Sequence, residues 1–380
     1  MRDLRKVTLL VGLVAIVAAF VVPAGAVEVV QRATLIRGSG SDTTYFLLQD
    51  MDAHYNASKG CFSEVLPGNT QPLDNSCVVD DRSYPTKANV DHDVALSYFP
   101  LGSSNGIAQL CQRGLAGVTL IDYARASRGP KSSDCAGLRF VAFAKDALPW
   151  ASFKDVSGAA SANVDSLTQQ ELKDIFVNCT ITNWSQVGGA DAEIIVYAPQ
   201  AGSGTRSAFD GFVGGSSDSC IPDEFKDGNG ANGERVIFEN TCSPVAEADK
   251  AAAILPYSYG KYQTTGGEGC SLGAIDGVEP SPQTISDGSF PFSRFLYNVY
   301  RQGFSENNAT DATMEYINED TGWLCKTAAE HDVNPSTGVN YRTEVENILQ
   351  ENGVTPIVEG PIGGGVAGTS HCRVTPIPAA

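Results

Sequence analysis

The sequence predicts an α/β protein, and three observations carry that expectation. Strand-like apolar runs alternate with helix-like ones along most of the chain. Segments rich in glycine and hydroxyl residues recur where such runs meet. At 380 residues the chain can bury a large core and exceeds the usual single-domain size.

The elements follow in order. Arg2, Arg5 and Lys6 precede the apolar "VTLLVGLVAIVAAFVV", and Ala24 and Ala26 form a small-x-small site. Residues 1–26 therefore read as a cleavable export signal, with the mature start near Val27. A run of about 16 residues is short for a membrane span. The first cysteine is Cys61, so no lipidated N-terminal cysteine is indicated, and the protein is expected in the secreted or cell-envelope fraction. "ATLIRGSGSD" then passes from a β-like run into glycines, and "TTYFLLQDMDAHYN" continues as a helix with Leu47, Met51 and Tyr55 on one face. Thr168 and Glu171 make a capping box ahead of Leu172, Ile175 and Phe176. "EIIVYAP" reads as a strand, and Ala208, Phe209, Phe212 and Val213 as the apolar stripe of the helix behind it. Thr343 and Glu346 suggest one more helix start, with Gly353 as its stop. Residues 214–233 and 263–289 read as surface loops. "GPIGGGVAGTSHCRVTPIPAA" is too rich in Gly and Pro for regular structure, with Cys372 as a tether.

Ten cysteines without a C-x-x-C pair, beside four histidines lacking ligand spacing, read as disulfides rather than a metal site. Pairings are not deducible, although Cys61–Cys77, Cys111–Cys135 and Cys220–Cys242 are sequence neighbours. Formal charge is −18; the leader carries a net +2, which leaves −20 on the remainder. That balance argues against nucleic acid or an anionic membrane surface as partner. Any anion site must then work by local dipoles against a repulsive long-range field.

Three segments share one composition: "GSGSDTT" at 38–44, "LGSSNG" at 101–106 and "AGSGTR" at 201–206. Hydroxyls donate, glycine lets backbone N–H groups approach a ligand, and a helix N-terminus favours negative charge. Each alone is ordinary cap or turn chemistry. Together they suggest an oxyanion cradle without a lysine cluster, provided they converge.

The order of "GSGSDTT", "LGSSNGIAQL", "TQQELKDIFVNCTITNWSQVGG" and "QAGSGTRSAF" resembles the phosphate-binding proteins of bacterial ABC transporters, with "ADKAAAILPYSYGKY" and "FPFSRFLYNVY" fitting the later part of the pattern. The resemblance covers roughly residues 33–350. It implies a two-lobe type II periplasmic-binding-protein fold, with two crossover strands and ligand in the interlobe cleft. Lobe one would then span 27–142 and 292–380, and lobe two 143–291. The ligand contacts it implies are Ser41, Asp42 and Thr43; Ser103 and Ser104; and Gly202, Ser203, Gly204 and Thr205. The expected partners are phosphate or a similar oxyanion and an ABC permease, with a monomeric chain, no cofactor and no catalysis.

The sequence also departs from that family. Members often place in lobe one an Asp that accepts the proton of monohydrogen phosphate, and Arg128 aligns there. Many carry Arg and Asp just before Gly-Ser-Gly-Thr, where Pro199 and Ala201 stand. Arg128 and Arg206 are the candidate cations for a bidentate grip on an oxyanion, with Asp210 as the competing partner of Arg206. Asp42 is the candidate substitute acid, or else a helix cap. Two alternatives compete: a surface or secreted oxyanion scavenger without a permease, and an extracellular hydrolase drawing a base from His54, His92, His331 or His371.

Overall fold

In the computed structural model, residues 34–58, 78–79, 102–112, 121–156, 159–226, 233–302, 311–334, 337–357 and 371–378 are described. The leader 1–26, Cys61, Cys77 and His92 lie outside them. Two long strands organise the chain. Leu138–Ala147 and Ser293–Arg301 pair antiparallel, from Ser293 opposite Ala147 to Arg301 opposite Leu138, with one irregularity at Leu296/Tyr297. Phe140 through Ala144 are all buried, the pattern of a strand covered on both faces. Tyr123–Ala126 lies antiparallel on Ser293–Arg301, and Gly38–Gly40 lies parallel on Tyr123–Ala126. Thr355–Pro356 and Arg373–Thr375 complete this six-stranded sheet along the other edge of Leu138–Ala147.

A second sheet uses only chain between the two long strands, in the order Ile195–Val196, Ala253–Pro256, Trp150–Ser152, Ser271–Leu272. Each sheet has its own core, one around Tyr55, Tyr123, Tyr316 and Trp323, the other around Trp150, Phe176, Trp184 and Phe209. The chain leaves the large sheet through Leu148 and returns through Phe292, and these two are hydrogen-bonded (2.8 Å). Two α/β lobes with adjacent crossovers are thus observed, as expected.

Local signals were mostly sufficient. Thr168 and Glu171 form the capping box of Gln169–Phe176, which buries Leu172, Ile175 and Phe176. Leu47, Met51 and Tyr55 are buried on Tyr45–Ser58. Gly204–Val213 buries Phe209 and Val213 and stops at Gly214 (φ 74°).

Three expectations need correction. Tyr341–Glu351 starts at an Asn340 cap, so Thr343 and Glu346 lie inside the helix, although Gly353 (φ 69°) does follow its last turn. Residues 263–289 hold the strands Ser271–Leu272 and Ala274–Ile275 and the helix Pro282–Ser286. Partner strands impose that order, Trp150–Ser152 on the first and Ser166–Leu167 on the second. Of the C-terminal segment, residues 360–370 and 379–380 lie outside the described residues, but Arg373–Thr375 is a strand. The open edge of Leu138–Ala147 supplies its hydrogen-bonding row, and Cys372 is tethered to Cys325 beside it.

Among the described residues the other bridges are Cys111–Cys135, Cys179–Cys220 and Cys242–Cys270. All four bridges join consecutive cysteines, but only Cys111–Cys135 is among the neighbour pairs named from the sequence; Cys220 and Cys242 take different partners. Loops of 24–47 residues give each bridge about 3–4 kcal/mol in the chain-entropy account.

The helix Ser103–Gln112 packs directly on Gly38–Gly40, and Gly106 is the contact. A Cβ there would lie 2.6 Å from Gly40 Cα and 2.7 Å from Ser39 O, both backbone atoms. Gly106→Ala should therefore destabilise by roughly 1–3 kcal/mol, although helix propensity alone favours alanine by about 1 kcal/mol. Urea unfolding decides the sign, and a stabilised variant would contradict the packing.

Candidate functional site

Backbone bonds weld the three hydroxyl-rich segments together. Gly102 N–H donates to Gly40 O (3.0 Å) and Ser104 N–H to Gly202 O (3.1 Å). The approach requires glycine: a Cβ on Gly102 (φ 91°) would meet Gly202 O at 2.6 Å, and one on Gly204 would overlap the hydroxyls of Ser103 and Ser127. Ser41 Oγ donates to Ser127 Oγ (2.9 Å), Ser127 N–H donates to Ser103 Oγ (3.0 Å), and Thr43 and Thr205 place their hydroxyls 3.4 Å apart across the lobes. The segments predicted to converge do converge, and Ser41, Thr43, Ser103, Ser203 and Thr205 are all buried.

A cation not singled out by the sequence stands behind them. Arg294 and Asp146 face each other in register on the two long strands. Arg294 Nε and Nη2 both reach Asp146 Oδ2 (3.0 and 2.7 Å). The same guanidinium donates to Thr43 Oγ1 and Thr205 Oγ1 (3.3 Å each) and to Ser127 O (2.9 Å). One side chain on a crossover strand thus touches both lobes.

An anion not foreseen either sits in front. The strand Val236–Ile237 runs parallel to Ala198–Pro199, which leads into the Ser203 turn, and Glu239 follows it. Its carboxylate accepts from Asp42 N–H in lobe one (3.3 Å), from Thr205 N–H in lobe two (3.1 Å), and from the Ser203 hydroxyl. Glu239 is 1% exposed. Asn240, in the left-handed region that Asn tolerates (φ 57°), donates to Thr43 Oγ1 (3.1 Å) and accepts from Thr205 Oγ1 (3.2 Å).

Asp42 lies beside this group, its carboxylate 3.5 Å from Lys261 Nζ. Burial pushes its pKa up to about 6, with nearby Glu239 adding to the rise and Lys261 opposing it.

The two arginines expected at the ligand are engaged elsewhere. Arg128 forms a two-pronged pair with Asp134 (2.8 and 2.9 Å), and its Nε donates to Ser104 Oγ (3.2 Å). Arg206 turns outward to Asp218, Ser216 and Pro199 O, with Asp210 at 3.7 Å; only its N–H faces Ser203, at 2.9 Å. The histidines within the described residues are also held away from these serines: His54 by Glu344, His331 by Trp323 O, His371 by Ile357 O. No group of three or more His, Cys, Asp or Glu suited to a metal occurs among the described residues.

Residues 82–320 match the profile of the PBP superfamily domain, well over half of the chain. The chain belongs to the PBP superfamily. Solved structures similar to it include a Clostridium perfringens protein assigned as a phosphate ABC transporter substrate-binding protein, with bound phosphate. That match has 21% identity and a TM-score of 0.54, covering 85% of this chain and 99% of that one. An ABC-type phosphate transport receptor from Vibrio cholerae is similar at 18% identity and a TM-score of 0.50, over 84% of this chain and 99% of that one. At such identities the likeness establishes the shared fold of this PBP-superfamily chain.

The raised pKa of Asp42 has a stability consequence. The folded state holds this proton more tightly than the unfolded chain does, so the stability contributed by this group is full below about pH 4 and is lost as pH rises through about 6. The loss is on the order of 3 kcal/mol at about 1.4 kcal/mol per pKa unit. Asp42→Asn should match the wild type in urea at pH 4 and exceed it at pH 7.5. A less stable variant at pH 7.5 would refute the assignment.

Proposed function

We propose that this PBP-superfamily protein captures phosphate, or a tetrahedral oxyanion like it, between its lobes and presents it to an ABC importer. One observation carries the reading: amide hydrogens from opposite lobes, on Asp42 and Thr205, converge with the Ser203 hydroxyl on a single buried anionic group. That donor set suits any compact oxyanion. Arg294 supplies the positive charge, already oriented by Asp146 and within reach of both threonine hydroxyls. The bound phosphate of the Clostridium perfringens structure supports the ligand class.

In this reading Ser41, Asp42, Thr43, Ser103, Gly202, Ser203, Gly204 and Thr205 line the cradle. Arg128 positions Ser104 and the head of its helix, and Arg206 steadies the Ser203 turn. Closure creates the site, because neither lobe holds a full donor set alone. Residues 1–26 direct export, and the protein works outside the cytoplasm as a carrier rather than a catalyst.

Titration calorimetry on the exported protein tests this. Phosphate should give saturable heat and raise Tm, whereas no heat and no upshift with phosphate, arsenate or sulfate would reject the function. Thr205→Val removes a hydroxyl but leaves the backbone N–H, and should weaken phosphate binding by at least about 1 kcal/mol, roughly fivefold. Arg294→Lys keeps charge but loses the planar fork, and should cost more, on the order of tenfold.

A further inference from the structure

Glu239 is the feature this function does not require. A cradle carboxylate can serve a receptor by accepting the solute's proton, but both Glu239 oxygens are already taken by donors of the cradle, and two like charges in one desolvated space repel strongly. Yet Glu239 is not a bystander: its two oxygens take the amide hydrogens of Asp42 and Thr205 and the hydroxyl of Ser203. Those are the same donors assigned above to the ligand. They come from both lobes, so the side chain bridges the cleft as a ligand would. The segment that carries it is anchored on both sides, upstream by the pairing of Val236–Ile237 with Ala198–Pro199 and downstream by the Cys242–Cys270 bridge. Asn240, the next residue, is fixed by Thr43, Thr205 and Ser258.

Resting on the phosphate reading, we propose that Glu239 is a tethered internal ligand, which an incoming oxyanion must displace to occupy the cradle. The proposal follows from shared donors. Asp42 N–H and Thr205 N–H each have one hydrogen, and the donor that binds the carboxylate cannot bind the solute with full strength. A tethered competitor acts at a high effective concentration and lowers apparent affinity without touching the solute. It also keeps the lobes bridged when no solute is bound, because the amide hydrogens are satisfied either way. Exchange of one carboxylate for one oxyanion leaves the count of hydrogen bonds similar, so solute capture is a swap rather than a gain of contacts. Glu239 does not select among oxyanions by this mechanism, since it competes equally with all of them.

The test compares wild type, Glu239→Ala and Glu239→Gln by calorimetry with phosphate and with sulfate, and by thermal melting with and without each salt. Removing the competitor should tighten phosphate binding at least tenfold in Glu239→Ala and sulfate binding by a similar factor. Glu239→Gln retains one weaker acceptor and should show a smaller gain, about threefold. Anion-free Glu239→Ala should melt below wild type and gain more from phosphate than wild type does. If wild type binds phosphate but both variants bind it equally or more weakly, the displacement proposal fails and the phosphate function stands. A loss confined to phosphate, with sulfate strengthened, also overturns it, because Glu239 would then be contacting the solute's proton. If no variant binds any oxyanion, the phosphate reading itself fails and this inference with it. Glu239→Gln, nearly isosteric, keeps these outcomes readable should Glu239→Ala fold poorly.

Discussion

Amide hydrogens that face each other across a cleft need negative charge between them. Asp42 and Thr205 stand on opposite lobes, each at the junction between a strand and a helix, where backbone N–H groups lack intrahelical partners. Leaving such donors buried and unmet costs about 1–3 kcal/mol apiece. The closed arrangement of this chain therefore depends on an anion, and in the structure Glu239 provides it. The glycines follow from the same constraint, since Gly102 and Gly204 allow the two backbones to come that close.

The cation of the site is built into the hinge. Arg294 and Asp146 are cross-strand partners on the two strands that connect the lobes, and Asp146 also accepts from Ser258 Oγ and Gly260 N–H at the head of a lobe-two helix. Any rotation of one lobe against the other must work around this pair. Its neighbours Thr43 and Thr205 are where opening would first be felt. On the proposed function, the arrangement also reconciles an acidic protein with an anionic solute. A formal charge of −18 repels phosphate at long range, but that field is screened beyond about 8–10 Å at ordinary ionic strength. Inside the cleft, fixed dipoles and one oriented guanidinium act in low dielectric, where they count for more.

Much of this was legible in the sequence, for reasons that differ by element. The α/β class, the helix of Thr168 and the stripe of Phe209 and Val213 follow from local pattern, and local pattern is what a sequence displays. The three hydroxyl-rich turns were recognisable by composition, but their convergence is a property of topology. Arg294 and Asp146 were not visible because their partnership spans 148 residues and depends on strand register. Glu239 and Asn240 sit in "VIFENTC", which resembles no binding motif; only the parallel pairing of Val236–Ile237 brings them to Ser203. Arg128 and Arg206 looked like ligand contacts because a guanidinium can grip an oxyanion with two bonds. Here Asp134 and Asp218 claim them first.

The most direct test of the central claim is a crystal structure of the protein grown with phosphate. The account predicts phosphate within hydrogen-bonding distance of Asp42 N, Thr205 N and the Ser203 hydroxyl, with Arg294 beside it and the Glu239 carboxylate turned out of the cradle. Phosphate bound elsewhere, or the cradle still holding Glu239 at saturating phosphate, would contradict it.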